Sequence, residues 1–436
     1  MPKNNGKSYL LRLEDQPFTG FFRELIMLGW ARLIESRVDI FDYHPNTRTV
    51  EIKEENYGDF VDYLKSANDH FEDKIGPLKG RKIFGNDKRS YKKPLKDWFS
   101  INRLPDTYID LFLLVIDETA ELIKNKKLNP ITALRTMSKS AKGTFLGDFT
   151  GDKKDFITPS IIKQLEYYEK GTEFLRPSWG DKEMIRLDPL WFSLLALGIL
   201  TAYAGYEGGK YYFFTKPDLE FTFKDDYAIT DTIRLFDLLT TTNLRSRHTL
   251  EINEVYEMNL ALNIAKQLLA DKGILSEKWL FPIRLYGEEI MGRNYVATSV
   301  YDLDLGALIR FFTHYLEEIK MSAPTGSEIV VKFKVSKTEE KRFSPLEAIL
   351  YIAEKNLTWR SIDNEQICLL MVKDLYKAIN SNNLVFFENT IYRLLRKNAQ
   401  YVSSNSSKAV NYMLKSSLSG FSRNENIDAI IKGIQN

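Results

Sequence analysis

"PLWFSLLALGILTAYAGY", residues 189–206, carries no charged side chain and is nearly long enough to cross a bilayer, so its reading decides what kind of protein this is. Pro189 opens the run, Gly198 and Gly205 interrupt it, and no second run of this kind occurs in the chain. An isolated apolar stretch with these punctuators reads as a helix buried in a core rather than a membrane span. The protein is therefore expected to be soluble, with no membrane partner.

Outward from this run the patterns are mixed. "SYLLRL" (8–13) alternates like a strand, and "TGFFRELIMLGWARLIESR" (19–37) has helical spacing behind Thr19 as a candidate cap. "VDIFDYHPNTRTVEI" reads as a hairpin turning at Pro45-Asn46, followed by a helix at about 55–70. "DTYIDLFLLVIDETAELIKN" and "TPSIIKQLEYYEKGTEF" are helical, and "SKSAKGTFLGDFTGDKKD" (138–155) between them reads as a loop. Beyond 206, "GGKYYFFTKPDLEFTF" predicts two short strands, 228–240 and 248–271 helices, and 279–286 and 328–335 strands. "SKTEEKRF" (336–343) marks a boundary. After it come only helical patterns, the first opened by a capping box of Ser344 and Glu347 around Pro345.

The expected fold class is α+β: a mixed N-terminal body with small sheets and many helices, then an all-α C-terminal helical bundle. The expected divisions are 1–104, 105–335 and 344–436. At 436 residues the chain exceeds what one core usually holds. A single cysteine, Cys368, excludes an internal disulfide framework and a cysteine-based zinc site, and fits a reducing cytoplasm.

The residue inventory argues against an enzyme. Four histidines leave little material for acid–base or metal chemistry, and His248 with Glu251 lacks the second ligand pair of a zinc helix. Asp302 and Asp304 in "YDLDLG" form a pair that could meet a divalent cation, but acids near a helix start also serve its dipole. "SAKGTFLG" lacks the order of a phosphate loop, and Cys368 lies in an apolar run that disfavours a thiolate. No cofactor and no metal are expected.

Charge is where the sequence speaks. The net charge is only +2, yet 51–73 holds eight acids and two bases, while 79–96 holds eight bases and one acid. In "FGNDKRSYKKPLKDW" (84–98), Lys88, Arg89, Lys92, Lys93 and Lys96 crowd together beside Tyr91 and Trp98. With Gly76, Pro77, Gly80, Gly85 and Pro94 around them, they read as an extended loop. Such a loop follows a phosphate backbone by releasing counterions. Tyr91, Trp98 and Phe99 are then candidates to stack on unpaired bases, and Asn86 to read a minor groove. The competing reading is a solvated loop neutralised by the acidic helix before it. A second cluster lies in the terminal bundle, where 389–424 has six bases and no acid: Arg393, Arg396 and Lys397, then Lys408, Lys415 and Arg423. A third, Asn243, Arg245 and Arg247, sits in a predicted inter-helix loop.

This layout resembles the large subunit of type I CRISPR effector (Cascade) complexes, of an archaeal subtype. The likeness rests on the mixed body, its aromatic-rich middle "LGILTAYAGYEGGKYYFFTKPD" and the basic helical C-terminus. The resemblance implies a non-catalytic, RNA-binding and DNA-binding subunit of antiviral defense. Its partners would be CRISPR RNA and target DNA, the other subunits of the effector complex and a helicase-nuclease. It implies recognition of the protospacer-adjacent motif (PAM), help in opening the duplex, and a bundle that holds the displaced strand. A structural or assembly protein making only protein contacts is the alternative.

Overall fold

The computed structural model describes residues 8–13, 20–36, 41–53, 57–75, 82–83, 85–140, 143–149, 153–162, 185–207, 210–216, 222–241, 254–271, 283–291, 294–322, 331–334, 340–358, 366–397 and 425–435. In chain order they form β1 (Ser8–Arg12), α1 (Gly20–Glu35), β2 (Phe41–His44), β3 (Thr49–Lys53), α2 (Tyr57–Ile75), α3 (Gly85–Phe99), α4 (Tyr108–Lys124) and α5 (Pro130–Arg135). Next are β4 (Met137–Ser140), β5 (Gly143–Leu146), β6 (Phe156–Ile157), β7 (Ile185–Leu187), α6 (Pro189–Ala202), β8 (Tyr203–Glu207), β9 (Lys210–Thr215), α7 (Asp226–Thr241), α8 (Glu254–Asp271), β10 (Ile283–Met291) and β11 (Asn294–Leu303). The chain continues through α9 (Gly306–Ser322), β12 (Val331–Lys334), β13 (Glu340–Phe343), α10 (Pro345–Thr358), α11 (Gln366–Asn380), α12 (Leu384–Lys397) and α13 (Glu425–Gln435). The α+β expectation holds.

Two compact units emerge, one of residues 1–246 and 278–302, the other of 247–277 and 303–436. The first unit is organised around α6. Asp188 caps it, accepting from the Trp191 backbone N–H at 2.8 Å, with Pro189 in the first turn. Every side chain of α6 is buried. The apolar run is therefore a core helix of 14 residues that ends at Ala202 and passes into β8. No helix among the described residues is long and apolar enough to cross a membrane.

Two glycines set how closely α1 and α6 pack. A Cβ on Gly198 would lie 1.8 Å from the Leu25 carbonyl oxygen, and one on Gly29 would lie 2.2 Å from that of Leu194. Only hydrogen fits at either crossing point. Flanking them, Trp30 and Trp191 meet edge to face with ring centroids 6.3 Å apart. Arg32, also buried, ties α1 to α7 through Asp237 at 2.7 and 3.1 Å, and to Thr201 of α6 at 3.3 Å. A buried guanidinium held in this bidentate way fixes the angle between helices more than it adds net stability.

Three small sheets complete the first unit, with strand orders β1-β3-β2, β4-β5-β7-β6 and β11-β10-β9-β8. The β2–β3 hairpin turns at Pro45–Thr47, as its Pro-Asn signal predicts. The segment 138–155, expected as a loop, instead supplies β4, β5 and the approach to β6. Its Ser and Lys residues fit an exposed edge strand, which has no need of apolar alternation on both sides. β11 carries no expectation from the sequence. Asp302, at its end, receives a 2.6 Å hydrogen bond from Arg284 Nε, and that bond is the main reason the guanidinium pKa is raised. Asp304 instead accepts from the Gly306 N–H at the start of α9.

The second unit is mainly helical. Upstream helices α8 and α9 pack with α10, α11 and α13, so the C-terminal helices do not form their assembly alone. Residues 340–343 form a strand paired with β12, rather than an apolar-poor connection. The capping box forms as expected: Glu347 accepts from the Ser344 N–H at 2.6 Å, and Ser344 Oγ from the Glu347 N–H at 3.4 Å. Residues 406–418, expected to be helical, lie outside the described residues.

Candidate nucleic-acid interface

The basic stretch from Gly85 to Trp98 is helical, not the extended loop that its glycines and prolines suggest. Gly85 takes φ +47° at the first position, a left-handed conformation suited to entering the helix. Pro94 lies inside the helix, where a proline costs about 3 kcal/mol by removing a hydrogen bond and crowding the preceding turn. Tyr91, Leu95 and Trp98, at i, i+4 and i+7, are all buried, and each large side chain returns about 1.5–3 kcal/mol. That spacing is helical, and it wins.

Burial also overturns the stacking expectation. Tyr91 and Trp98 face the interior, where the Tyr91 hydroxyl donates to the Ile157 carbonyl at 2.9 Å and the Trp98 indole N–H to that of Lys154 at 2.7 Å. Burial, and then the neighbouring Asp87 charge, push the Tyr91 phenol well above its ordinary pKa, so it remains a neutral donor. Phe99 is half-buried against Phe156, with centroids 6.1 Å apart. Tyr91 and Trp98 anchor the helix to the segment 154–157, and their buried rings are closed to bases.

Asp87, the one acid among the eight bases of 79–96, completes the anchor. It is buried, and its Oδ2 accepts from the Tyr108 hydroxyl at 2.6 Å and the Ser160 N–H at 2.8 Å. Its Oδ1 accepts from Ser160 Oγ at 2.5 Å. A carboxylate in the first turn also meets the positive end of the helix dipole. Nothing in its spacing distinguished Asp87 from the surface acids around it; its role depends on partners 21 and 73 residues away.

The opposite face carries the cations. Asn86, Lys88, Arg89, Lys92, Lys93 and Lys96 are all exposed. At 3.6 residues per turn they occupy an arc of roughly 160°, while Asp87, Tyr91, Pro94, Leu95 and Trp98 occupy the complementary buried arc of roughly 100°. From Lys88 to Lys96 the charges run along about 12 Å of helix. None of the five cations has a carboxylate within 4 Å among the described residues. The acidic α2 packs instead on α4, where Lys65 pairs with Glu121. Among the described residues, the five charges thus share one exposed arc without an ion pair, with Asp97 as the exposed acid of the same helix.

The other expected positions are less informative. Arg393, Arg396 and Lys397 fall in the last turns of α12 in the second unit. Asn243, Arg245, Arg247, Lys408 and Lys415 lie outside the described residues.

An α+β architecture that turns the cationic arc of a helix outward is the setting in which comparison with known families becomes informative. The family model for CRISPR-associated protein (Cas_Csx9) matches residues 48–431, and the chain belongs to that family. The match takes in both α3 and α12. No curated protein matches the chain. The CRISPR association implied by the sequence resemblance is therefore established.

Proposed function

We propose that this protein is a non-catalytic large subunit of a Cascade-type, RNA-guided DNA surveillance complex, and that the outer face of α3 contacts the nucleic acid. One observation carries the reading: five cations share one exposed arc of a helix whose other side is pinned by Asp87, Tyr91 and Trp98. A rigid cationic face costs little ordering entropy when a polyanion binds, unlike a row of lysines on an unstructured loop. Family membership supports the CRISPR setting. In that setting guide pairing reads the sequence, while protein reads the short adjacent motif and the backbone.

The finer roles belong to the same proposal. The subunit recognises the protospacer-adjacent motif, helps open the duplex, holds the displaced strand and recruits a helicase-nuclease, all without catalysis of its own. Asn86 is the exposed amide of α3, placed beside the cations where a hydrogen bond to a base edge is geometrically open. Testing requires the assembled guide–protein complex and a duplex carrying the motif. The Lys92→Glu/Lys93→Glu variant should lower affinity by roughly 10–100-fold at low salt, reflecting lost phosphate contacts. Unchanged affinity would reject α3 as the interface.

A second reading has its own observation. In the second unit Leu370, Val385 and Tyr392 are exposed by 49%, 56% and 66%, which favours contact with a protein partner. Self-association of nuclease-treated protein, with no DNA affinity, would favour that assembly role.

A further inference from the structure

The thickness of α3 decides which groove of a duplex it can meet. The minor groove of B-form DNA is about 6 Å wide, so a helix about 10–12 Å across does not enter it without forcing it open. Minor-groove readout by Asn86, expected of a loop, is therefore closed to the helix that forms. The major groove, about 12 Å wide and about 8.5 Å deep, admits a helix. Only about 100° of the circumference of α3 is buried, and more than half of it carries exposed side chains.

The ligand that suits this face is paired. No aromatic ring is fully exposed on α3: Tyr91 and Trp98 are buried, and Phe99 is half-buried on Phe156. Surfaces that take unpaired bases rely on stacking, which this arc does not offer. A-form duplexes fit no better, because their major groove is too deep and narrow for side chains to read.

The exposed arc also divides by direction. At 100° per residue, Arg89, Lys93 and Lys96 lie within about 30° of the crest, the line opposite the centre of the buried arc. Lys88 and Lys92 lie on one flank of that crest, Asn86 and Asp97 on the other. A helix seated crest first puts the three crest residues over base edges and the lysine flank against one phosphate strand. The Asp97 carboxylate repels phosphate, which fixes the flank that approaches. From Arg89 to Lys96 the crest covers about 10 Å, or about three base steps of 3.4 Å. Among the crest residues Arg89 alone has a planar fork, the shape that matches O6 and N7 of guanine.

We infer that α3 seats in the major groove of B-form duplex DNA, with Arg89 reading a guanine while Lys88 and Lys92 hold one phosphate strand. This rests on the proposed role of α3 and deepens it, by naming the form of nucleic acid and the residue that sorts sequence.

The test uses the assembled guide–protein complex and a target duplex whose motif positions are randomised. Wild type should enrich guanine at one motif position. Arg89→Lys keeps the charge without the fork and should lower that enrichment at least about tenfold. Its salt slope should change by less than the ~0.9 of one lost contact. Placing 7-deazaguanine at that position removes N7 from the major groove and leaves the minor groove intact; it should weaken wild type more than Arg89→Lys. Lys92→Glu/Lys93→Glu reports on the underlying role of α3. If that reversal weakens binding while guanine is not enriched, or is enriched equally by Arg89→Lys, Arg89 is not the reader and α3 remains a backbone contact. Equal wild-type affinity for guanine and 7-deazaguanine duplexes overturns the major-groove seat. If the reversal has no effect, both readings fail.

Discussion

Two helices of the first unit, α6 and α3, show how differently one chain uses the same secondary structure. In α6 all fourteen residues are buried, so each is committed to packing and none remains for a partner. In α3 only five of fifteen are buried, and those five form one face. The apolar helix fixes the core. The amphipathic helix uses a narrow anchor to hold its remaining side chains outward. A side chain is available for recognition only if the fold stands without it, and α3 meets that condition.

The contrast is broken most severely at the α1–α6 crossing. Gly198→Ala puts a methyl group onto the Leu25 carbonyl, so two backbones must separate. Destabilisation of about 4–5 kcal/mol is expected, beyond ordinary overpacking, and is read as a loss of the cooperative unfolding transition or a large fall in its midpoint. A midpoint within 2 °C of wild type, in the sense of ~1 kcal/mol or less, would mean that the helices do not touch there.

The cap of α6 comes next. Burial is the largest influence on Asp188 and raises its pKa from 3.8 to about 7, despite hydrogen bonds from the Trp191 and Asp148 N–H groups that favour the charged form. Between those two values the folded protein holds a proton that the unfolded chain releases. Stability from this group therefore falls as pH rises from about 4 to 7, by an amount on the order of 4 kcal/mol. Urea unfolding of wild type and Asp188→Asn at pH 5 and pH 8 tests this. Wild type should gain on the variant at the lower pH, and parallel pH responses would contradict the shift.

At the anchor of α3, Asp87→Ala leaves the Tyr108 hydroxyl and the Ser160 N–H without their acceptor. The expected cost is about 3 kcal/mol, together with weaker DNA binding as the helix loosens. Smallest in stability are the outward charges. Neutralising them should move stability by no more than about 0.5 kcal/mol.

Much of the body is legible from short-range pattern: the core assignment of 189–202, the Pro45-Asn46 turn and the Ser344–Glu347 capping box each rest on residues within a few positions of one another. α3 was misread because Gly85 and Pro94 outweighed the i, i+4, i+7 spacing of Tyr91, Leu95 and Trp98. Their burial comes from β6, more than fifty residues away, which no local pattern shows. The edge strand β4 was missed for the converse reason, since polar residues suffice where one side faces water. The cations of α3 were legible as a cluster, but their common direction required the helix. The role of Asp87 was invisible, because it is defined by its distant partners Tyr108 and Ser160.

The central claim is that α3 presents unneutralised charge to a nucleic-acid backbone. Its most direct test is the salt dependence of duplex affinity for wild type and for a variant with Lys88, Arg89, Lys92, Lys93 and Lys96 all changed to glutamine. Up to five lost contacts should make the slope shallower by as much as ~4.5, with the unfolding midpoint unchanged. Equal slopes for the two proteins, both folded, would contradict it.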